Sequence, residues 1–217
     1  KNHVYSEEME HDACGVGLIA STEGKKSRKV VEYGIEALKA VWHRGAVDAD
    51  GKTGDGAGIH LEIPKDFFIE KIEVTGHSYD NSEICVGMIF LPRNDYAAQE
   101  SCKTIVESEL TKNDFSIYGW RQVPVNPKVL GEKAFQTMPE IIQVLFKSNN
   151  PELLNKDLER KIYETRRIIE NKAFQVSLNN FYICSLSSKS IIYKGMFLAE
   201  AISDFFLDLN DERFVSR

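Results

Sequence analysis

Three short stretches hold residues whose types and spacing allow chemistry. The first opens on Cys14 and continues Gly15-Val16-Gly17-Leu18-Ile19-Ala20. A thiol beside bare glycine backbone places a nucleophile next to N–H groups able to hold a developing oxyanion. The run is also apolar and alternates Val16, Leu18 and Ala20 with Gly15, Gly17 and Ile19. It therefore predicts a strand at 15–20, buried on both faces, in which Cys14 serves equally well as a small hydrophobe. The second stretch is His43-Arg44-Gly45-Ala46, with Asp48 and Asp50 soon after. His43 and Arg44 fall at a predicted helix C-terminus, where the dipole favours cations. That accounts for His43, whereas Arg44, followed by glycine on a loop, has a guanidinium free to grip a carboxylate with two hydrogen bonds. The third is Gly54-Asp55-Gly56-Ala57-Gly58. It lacks the Lys-Ser/Thr pair of a phosphate loop, and a strand follows it rather than a helix, which argues against a phosphate cradle. A tight turn that lets backbone approach closely is the better reading. Cys14 with His43 or His60 would make a papain-like pair, but no papain-type signature surrounds Cys14.

The remaining cysteines, Cys85, Cys102 and Cys184, lie inside apolar runs and read as core. None of the four forms a C-x-x-C pair or shows zinc or iron–sulfur spacing. A chain of 217 residues with 42% hydrophobic and 28% charged content can build one large domain around its own core. The net charge of -6 is opposite to a nucleic-acid footprint. No apolar run reaches the roughly 18 to 20 residues of a membrane span, and the polar start has no secretion-signal core. The expectation is a cytoplasmic chain with free thiols and neither nucleic acid nor membrane as partner.

The elements that must position these stretches follow from periodicity. A helix is predicted over 28–42, with Val30, Val31, Ile35, Leu38 and Val41 on one stripe and Ser27 as its N-cap. A polar, glycine-rich loop then carries the second and third motifs into an alternating strand at 59–63, stopped by Pro64. There follow a short helix over 65–72, a strand over 84–91, a helix over 95–110 and a strand over 115–123. Residues 140–147 suit helix or strand, and the flanking Pro139 and Pro151 favour a strand. A long helix over 151–172 precedes a hairpin of 179–186 with 190–193, and another helix begins at 198–206. Paired and helix-separated strands together indicate a mixed α and β class.

The order Cys14-Gly15-Val16-Gly17, His43-Arg44-Gly45-Ala46 and Gly54-Asp55-Gly56-Ala57-Gly58-Ile59 resembles the start of the class II glutamine amidotransferases. Asp48, Asp50 and the later Phe181 to Ser188 and Ile192 to Met196 resemble the glutamate synthase branch of that class. The resemblance implies an α+β fold of the N-terminal-nucleophile type, a four-layer αββα sandwich that would be incomplete in this chain. It implies an enzyme that attacks L-glutamine with the thiolate of Cys14, using the free α-amino group of that cysteine as base, and Arg44 as a substrate-binding arginine. Residues 1–13 are then a leader or propeptide, and 14–217 the N-terminal part of the amidotransferase domain. The family's oxyanion-hole and principal glutamine-binding residues would lie beyond Arg217, so the fragment alone is expected to be inactive. No cofactor is expected in this chain. The complete enzyme would carry FMN and an iron–sulfur cluster, use 2-oxoglutarate and be able to pair with a small subunit. A non-catalytic fragment that binds a partner, or another class II amidotransferase, are the competing readings; Lys194-Gly195-Met196 speaks against the latter.

Overall fold

The computed structural model describes residues 15–41 and 46–217. It is a mixed helix and sheet structure with two antiparallel sheets. Helix α1 (Arg28–Ala40) leads to strand β1 (Ala57–Glu62), helix α2 (Lys65–Val74), strand β2 (Cys85–Leu91) and helix α3 (Tyr96–Lys112). Strand β3 (Phe115–Gln122), helix α4 (Glu132–Thr137), strand β4 (Glu140–Ser148) and helix α5 (Asn155–Gln175) follow, then β5 (Tyr182–Ser187), β6 (Ser190–Gly195) and the short α6 (Ile202–Phe205). One sheet pairs β1 with β6, from Ala57 opposite Gly195 to Glu62 opposite Ser190. The other has the order β3-β4-β2-β5.

The larger sheet is apolar on both faces, and its alternation sorts residues into two cores. Cys85, Ile89 and Leu91 of β2, with Ile142, Val144 and Phe146 of β4, meet Cys102, Val106 and Leu110 of α3 and Leu158, Ile162 and Ile169 of α5. On the other face Val86, Met88, Ile141, Leu145 and Cys184 join Leu61, Ile191 and Tyr193 of the smaller sheet, with Val31 and Ile35 of α1 and Phe67, Phe68 and Ile72 of α2. At Gly87 the helix-facing side has no room for a side chain: a Cβ there would lie 2.6 Å from both Leu186 and Val144. Gly87→Ala is expected to destabilise the fold by about 1 to 3 kcal/mol through overpacking, read as a lower urea midpoint with an unchanged m-value.

One buried polar network ties the sheets together. The Arg121 guanidinium of β3 donates to both carboxylate oxygens of Asp208, at 2.7 and 2.5 Å. It also donates to Gln143 Oε1 of β4 at 2.7 Å. Gln143 Nε2 donates to the Tyr193 hydroxyl of β6 at 3.2 Å, and that hydroxyl donates to Asp208 at 3.1 Å. Gln143 and Tyr193 are fully buried, so each polar atom needs the partner it finds here. Burial, then the neighbouring Asp208 carboxylate, holds the Tyr193 phenol far above its ordinary range.

Several expectations need correction. Residues 15–20 form no strand and are not buried: Val16 is 91% and Leu18 88% exposed. Among the described residues no backbone pairs with them, and an unpaired apolar strand has nothing to hold it. Ser27 stands at the N-cap of α1 but makes no side-chain cap bond; its backbone N–H instead donates to Ser216 O at 2.9 Å. The predicted hairpin of 179–186 with 190–193 is a crossing: β5 and β6 sit in different sheets. Glu159 of α5 draws the corner to its side, accepting from Ser187 Oγ at 2.9 Å and from Ser188 N and Oγ, both at 2.7 Å. The long helix begins at Asn155, because Asn150 Oδ1 accepts from Glu152 N–H and turns the chain first. The last predicted helix is only a 3-10 turn at Ala199–Ala201 running into α6. Residues 140–147 are a strand, and Cys85, Cys102 and Cys184 are core.

Candidate functional site

Cys14 and Arg44, the two residues expected to act on substrate, lie outside the described residues, as does the boundary between 1–13 and 14–217. What the structure does show is how the chain just after Arg44 is held and what it borders. Ala46 to Asp55 folds back on itself. Asp48 N–H donates to Thr53 O at 2.9 Å, and Asp55 N–H to Ala46 O at 3.2 Å. Val47 and Gly54 form an antiparallel bridge. Inside the loop Asp50 Oδ1 accepts from Lys52 N–H at 2.9 Å and Thr53 N–H at 2.7 Å. Its Oδ2 accepts from Thr53 Oγ1 at 2.6 Å. These donors, the Thr53 hydroxyl foremost, hold the Asp50 carboxyl well below the usual carboxylate range.

The loop is docked at two places. Thr53 is buried, and its hydroxyl oxygen accepts from Ala134 N–H of α4 at 3.3 Å. At Gly131, just before α4, an added Cβ would fall 2.2 Å from Asp50 Oδ2 and 2.4 Å from Thr53 Oγ1, so only glycine permits this contact. At Gly54 a Cβ would fall 2.8 Å from the carbonyl carbon and oxygen of Phe197. The close backbone approach expected of the glycine-rich stretch is thus realised, against protein rather than phosphate. An exposed ion pair, Lys133 Nζ to Asp48 Oδ2 at 2.7 Å, adds an outer tie; hydrogen bonding from Lys133 lowers the Asp48 carboxyl and the same contact raises Lys133.

The glycine-rich stretch, its sheet neighbours Lys194 and Gly195 of β6, and Met196 and Phe90 line an open cleft of about 540 Å³. Asp55, His60 and Lys194 are its charged and titratable lining. Lys194 Nζ donates to Tyr182 Oη at 2.7 Å and lies 4.6 Å over that ring. Phe90, Lys194, Gly195 and Met196 also border a second, apolar cavity of about 210 Å³ closed by the α4 segment and Phe197. So the structure brings the Gly54–Gly58 turn, the β6 end and α4 into one neighbourhood. Asp50 to Thr53 carries the Asp-x-x-Thr signature of a side-chain-closed turn. Gly131 and Lys133 had no such local signal, because they reach the loop from distant parts of the chain.

The described cysteines do not fit an iron–sulfur cluster. Burial pushes the thiols of Cys102 and Cys184 up to about 11 and that of Cys85 still higher, so all three are protonated and enclosed. Among the described residues no group of three or more His, Cys, Asp or Glu could hold a metal ion, and no helix is long and apolar enough to cross a membrane.

The mixed fold and the docked Ala46–Gly58 turn are those of a chain that belongs to the class II glutamine amidotransferases, whose sequence model, described as "Glutamine amidotransferases class-II", matches residues 14–217. Among curated proteins it is 55% identical over 214 residues to the glutamate synthase (NADPH) large chain of Azospirillum brasilense, covering 99% of this chain and 14% of that one. It is 40% identical over 209 residues to the ferredoxin-dependent glutamate synthase 1 of Arabidopsis thaliana, covering 95% of this chain and 13% of that one. The ferredoxin-dependent glutamate synthase of Pyropia yezoensis is 39% identical over 217 residues, again with 14% of its length covered. The chain therefore spans only 13% to 14% of the length of these relatives.

Proposed function

We propose that this chain is the glutaminase part of a glutamate synthase, hydrolysing L-glutamine to glutamate and ammonia. The observation that carries this is the 55% identity to a glutamate synthase large chain across nearly the whole of the chain. Residues 1–13 are read as a leader removed to expose Cys14, and 14–217 as amidotransferase domain. The two sheets and the helices against them are consistent with a four-layer αββα sandwich.

In this reading the α-amino group of Cys14 takes the thiol proton. An α-amine titrates at about 7.7 to 8.0 and a thiol at about 8.5, close enough for exchange near neutral pH. The sulfur attacks the side-chain amide carbon of glutamine, the C–N bond breaks, and the proton passes to the departing ammonia. Water then cleaves the thioester, releasing glutamate and restoring the thiol. Arg44 binds the substrate through its guanidinium. In the complete cytoplasmic protein the ammonia would aminate 2-oxoglutarate at a part bearing FMN and an iron–sulfur cluster, with a small subunit as the candidate partner chain. FMN would supply the electrons for that reduction; no residue described here is assigned to it.

A glutamine-mimicking electrophile tests the assignment directly. Protein beginning at Cys14 is expected to take up one equivalent, mapped by peptide mass spectrometry to Cys14, with protection by L-glutamine. Absence of label after confirmed processing would favour a non-catalytic amidotransferase-like chain.

A further inference from the structure

We propose that the apolar cavity between α4 and the end of β6 is a binding site for a small aromatic monocarboxylate, with the ring inside and the carboxylate on Lys194. The site is separate from the glutaminase assignment and uses neither Cys14 nor Arg44. Phe90, Leu130, Met138, Ile141, Phe197 and Phe205 supply most of its wall. Its volume is about 210 Å³, and an apolar cavity of about 150 Å³ is already enough to stay dry and take up benzene. A ring entering it gives the lining atoms dispersion contacts that a void denies them. The wall is preformed. Phe197 is fully buried, with its ring 5.2 Å from that of Phe205. It lies so close to Gly195 that a Cβ there would stand 2.4 Å from the ring. On the α4 side, Ala134 N–H is anchored on Thr53 Oγ1. A pocket that needs no rearrangement loses little affinity to ordering.

Charge sets the chemistry of the ligand. Among the described residues Lys194 is the only charged one lining this cavity, and it borders the open cleft as well. Its Nζ donates to Tyr182 Oη at 2.7 Å and stands 4.6 Å over that ring. That contact steadies the ammonium with one of its three N–H donors and leaves the others for a carboxylate. Asp55 and His60 line the open cleft but not the apolar cavity. A ligand with one carboxylate therefore keeps its charge at the Lys194 border, where the cavity meets the cleft. A second charge, or a polar amide tail like that of glutamine, would be desolvated among apolar side chains. The volume admits a single ring and excludes a fused pair.

The test uses the full-length parent protein with ring-fluorinated phenylacetate as the probe, followed by fluorine NMR and by hydrogen exchange. Wild type is expected to bind with a Kd on the order of 1 mM or below, with slowed amide exchange in peptides covering 130–138 and 194–198. Ala134→Leu fills the cavity and is expected to weaken binding at least about tenfold. Met138→Ala enlarges it and is expected to admit naphthylacetate, which wild type rejects. Lys194→Met is expected to weaken phenylacetate about tenfold and to leave the neutral phenylethanol unchanged. Met138→Ala and Lys194→Met decide the matter should Ala134→Leu fail to fold. No binding by wild type overturns the proposal, including the case in which another part of the full chain fills the cavity. So does protection confined to other segments, undiminished binding in Ala134→Leu, equal loss of acid and alcohol in Lys194→Met, or no gain of naphthylacetate in Met138→Ala. Displacement of the probe by L-glutamine would place it in the substrate's own site and overturn the proposal too. Labelling of Cys14 by the glutamine-mimicking electrophile reports separately on the glutaminase reading, so the failure of either is seen alone.

Discussion

Protein that keeps residues 1–13 ahead of Cys14 is expected to hydrolyse glutamine at least about a thousandfold more slowly than the same protein beginning at Cys14, the scale on which loss of one member of a nucleophile–base pair acts. The reason is local. A peptide-bonded Cys14 has an amide nitrogen, which is not basic, in place of an amine that titrates near neutrality. A free thiol titrates at about 8.5 and, without a base beside it, is mostly protonated at pH 7. Glutaminase assay of the two forms, each verified by intact mass, measures the difference. A robust rate from protein that retains Lys1 would remove the N-terminal amine from the mechanism. The processed form should also gain activity as pH rises through about 7 to 8, where the amine becomes free to accept a proton.

Asp208→Ala should produce the largest loss of stability, about 3 to 5 kcal/mol, or roughly 6 to 20 °C in Tm for a chain of this size. The estimate does not come from adding up the Arg121–Asp208 pair, since burying two charges costs about as much as their attraction returns. It comes from what removal leaves behind. Among the described residues the Arg121 side chain, 13% exposed, would keep its charge with Gln143 Oε1 as hydrogen-bond acceptor and the Phe67 ring 5.1 Å away, and no carboxylate. The fully buried Tyr193 hydroxyl would lose its acceptor. Tyr193→Phe is the matched comparison: it keeps the ion pair and strands only Gln143 Nε2, so it should cost about 1 to 3 kcal/mol. Urea denaturation of both variants measures the contrast. Equal losses would mean that the network acts as hydrogen bonds alone, without a charge contribution.

The helices and most strands were legible because their signals are local. The stripe of α1, the apolar run of β2 and the three- and four-residue spacing in α5 each bury a face that the chain itself marks. Strand β4 was legible less from its own residues than from the Pro139 and Pro151 that flank it. The crossing at β5 and β6 was not legible. Two strands joined through Ser188 and Lys189 look the same whether they pair or part. The choice falls to Glu159, which fastens Ser187 and Ser188 to α5, while Lys189 O accepts from Ile63 N–H beside β1. The strand read at 15–20 failed for a related reason. An apolar alternation shows that a segment can pair, not which strand edge receives it.

The candidate site divides along the same line. The amino-acid sequence alone supplied the expected chemistry: a thiol beside glycine backbone, expected from the family resemblance to act as a first residue, an arginine followed by glycine, and a glycine-rich turn fit for close approach. The membership of 14–217 in the class II glutamine amidotransferases agrees with those motifs. Only the tertiary structure decided what that turn approaches and what steadies it. Gly54 lies on Phe197, Gly131 on Asp50, and Thr53 under Ala134, contacts that join residues about 80 to 140 positions apart. Such pairs carry no periodic signal. They exist because two packed sheets and their covering helices bring the Ala46–Gly58 turn, α4 and the end of β6 to one place, where a single Cβ or a missing hydroxyl is enough to move them.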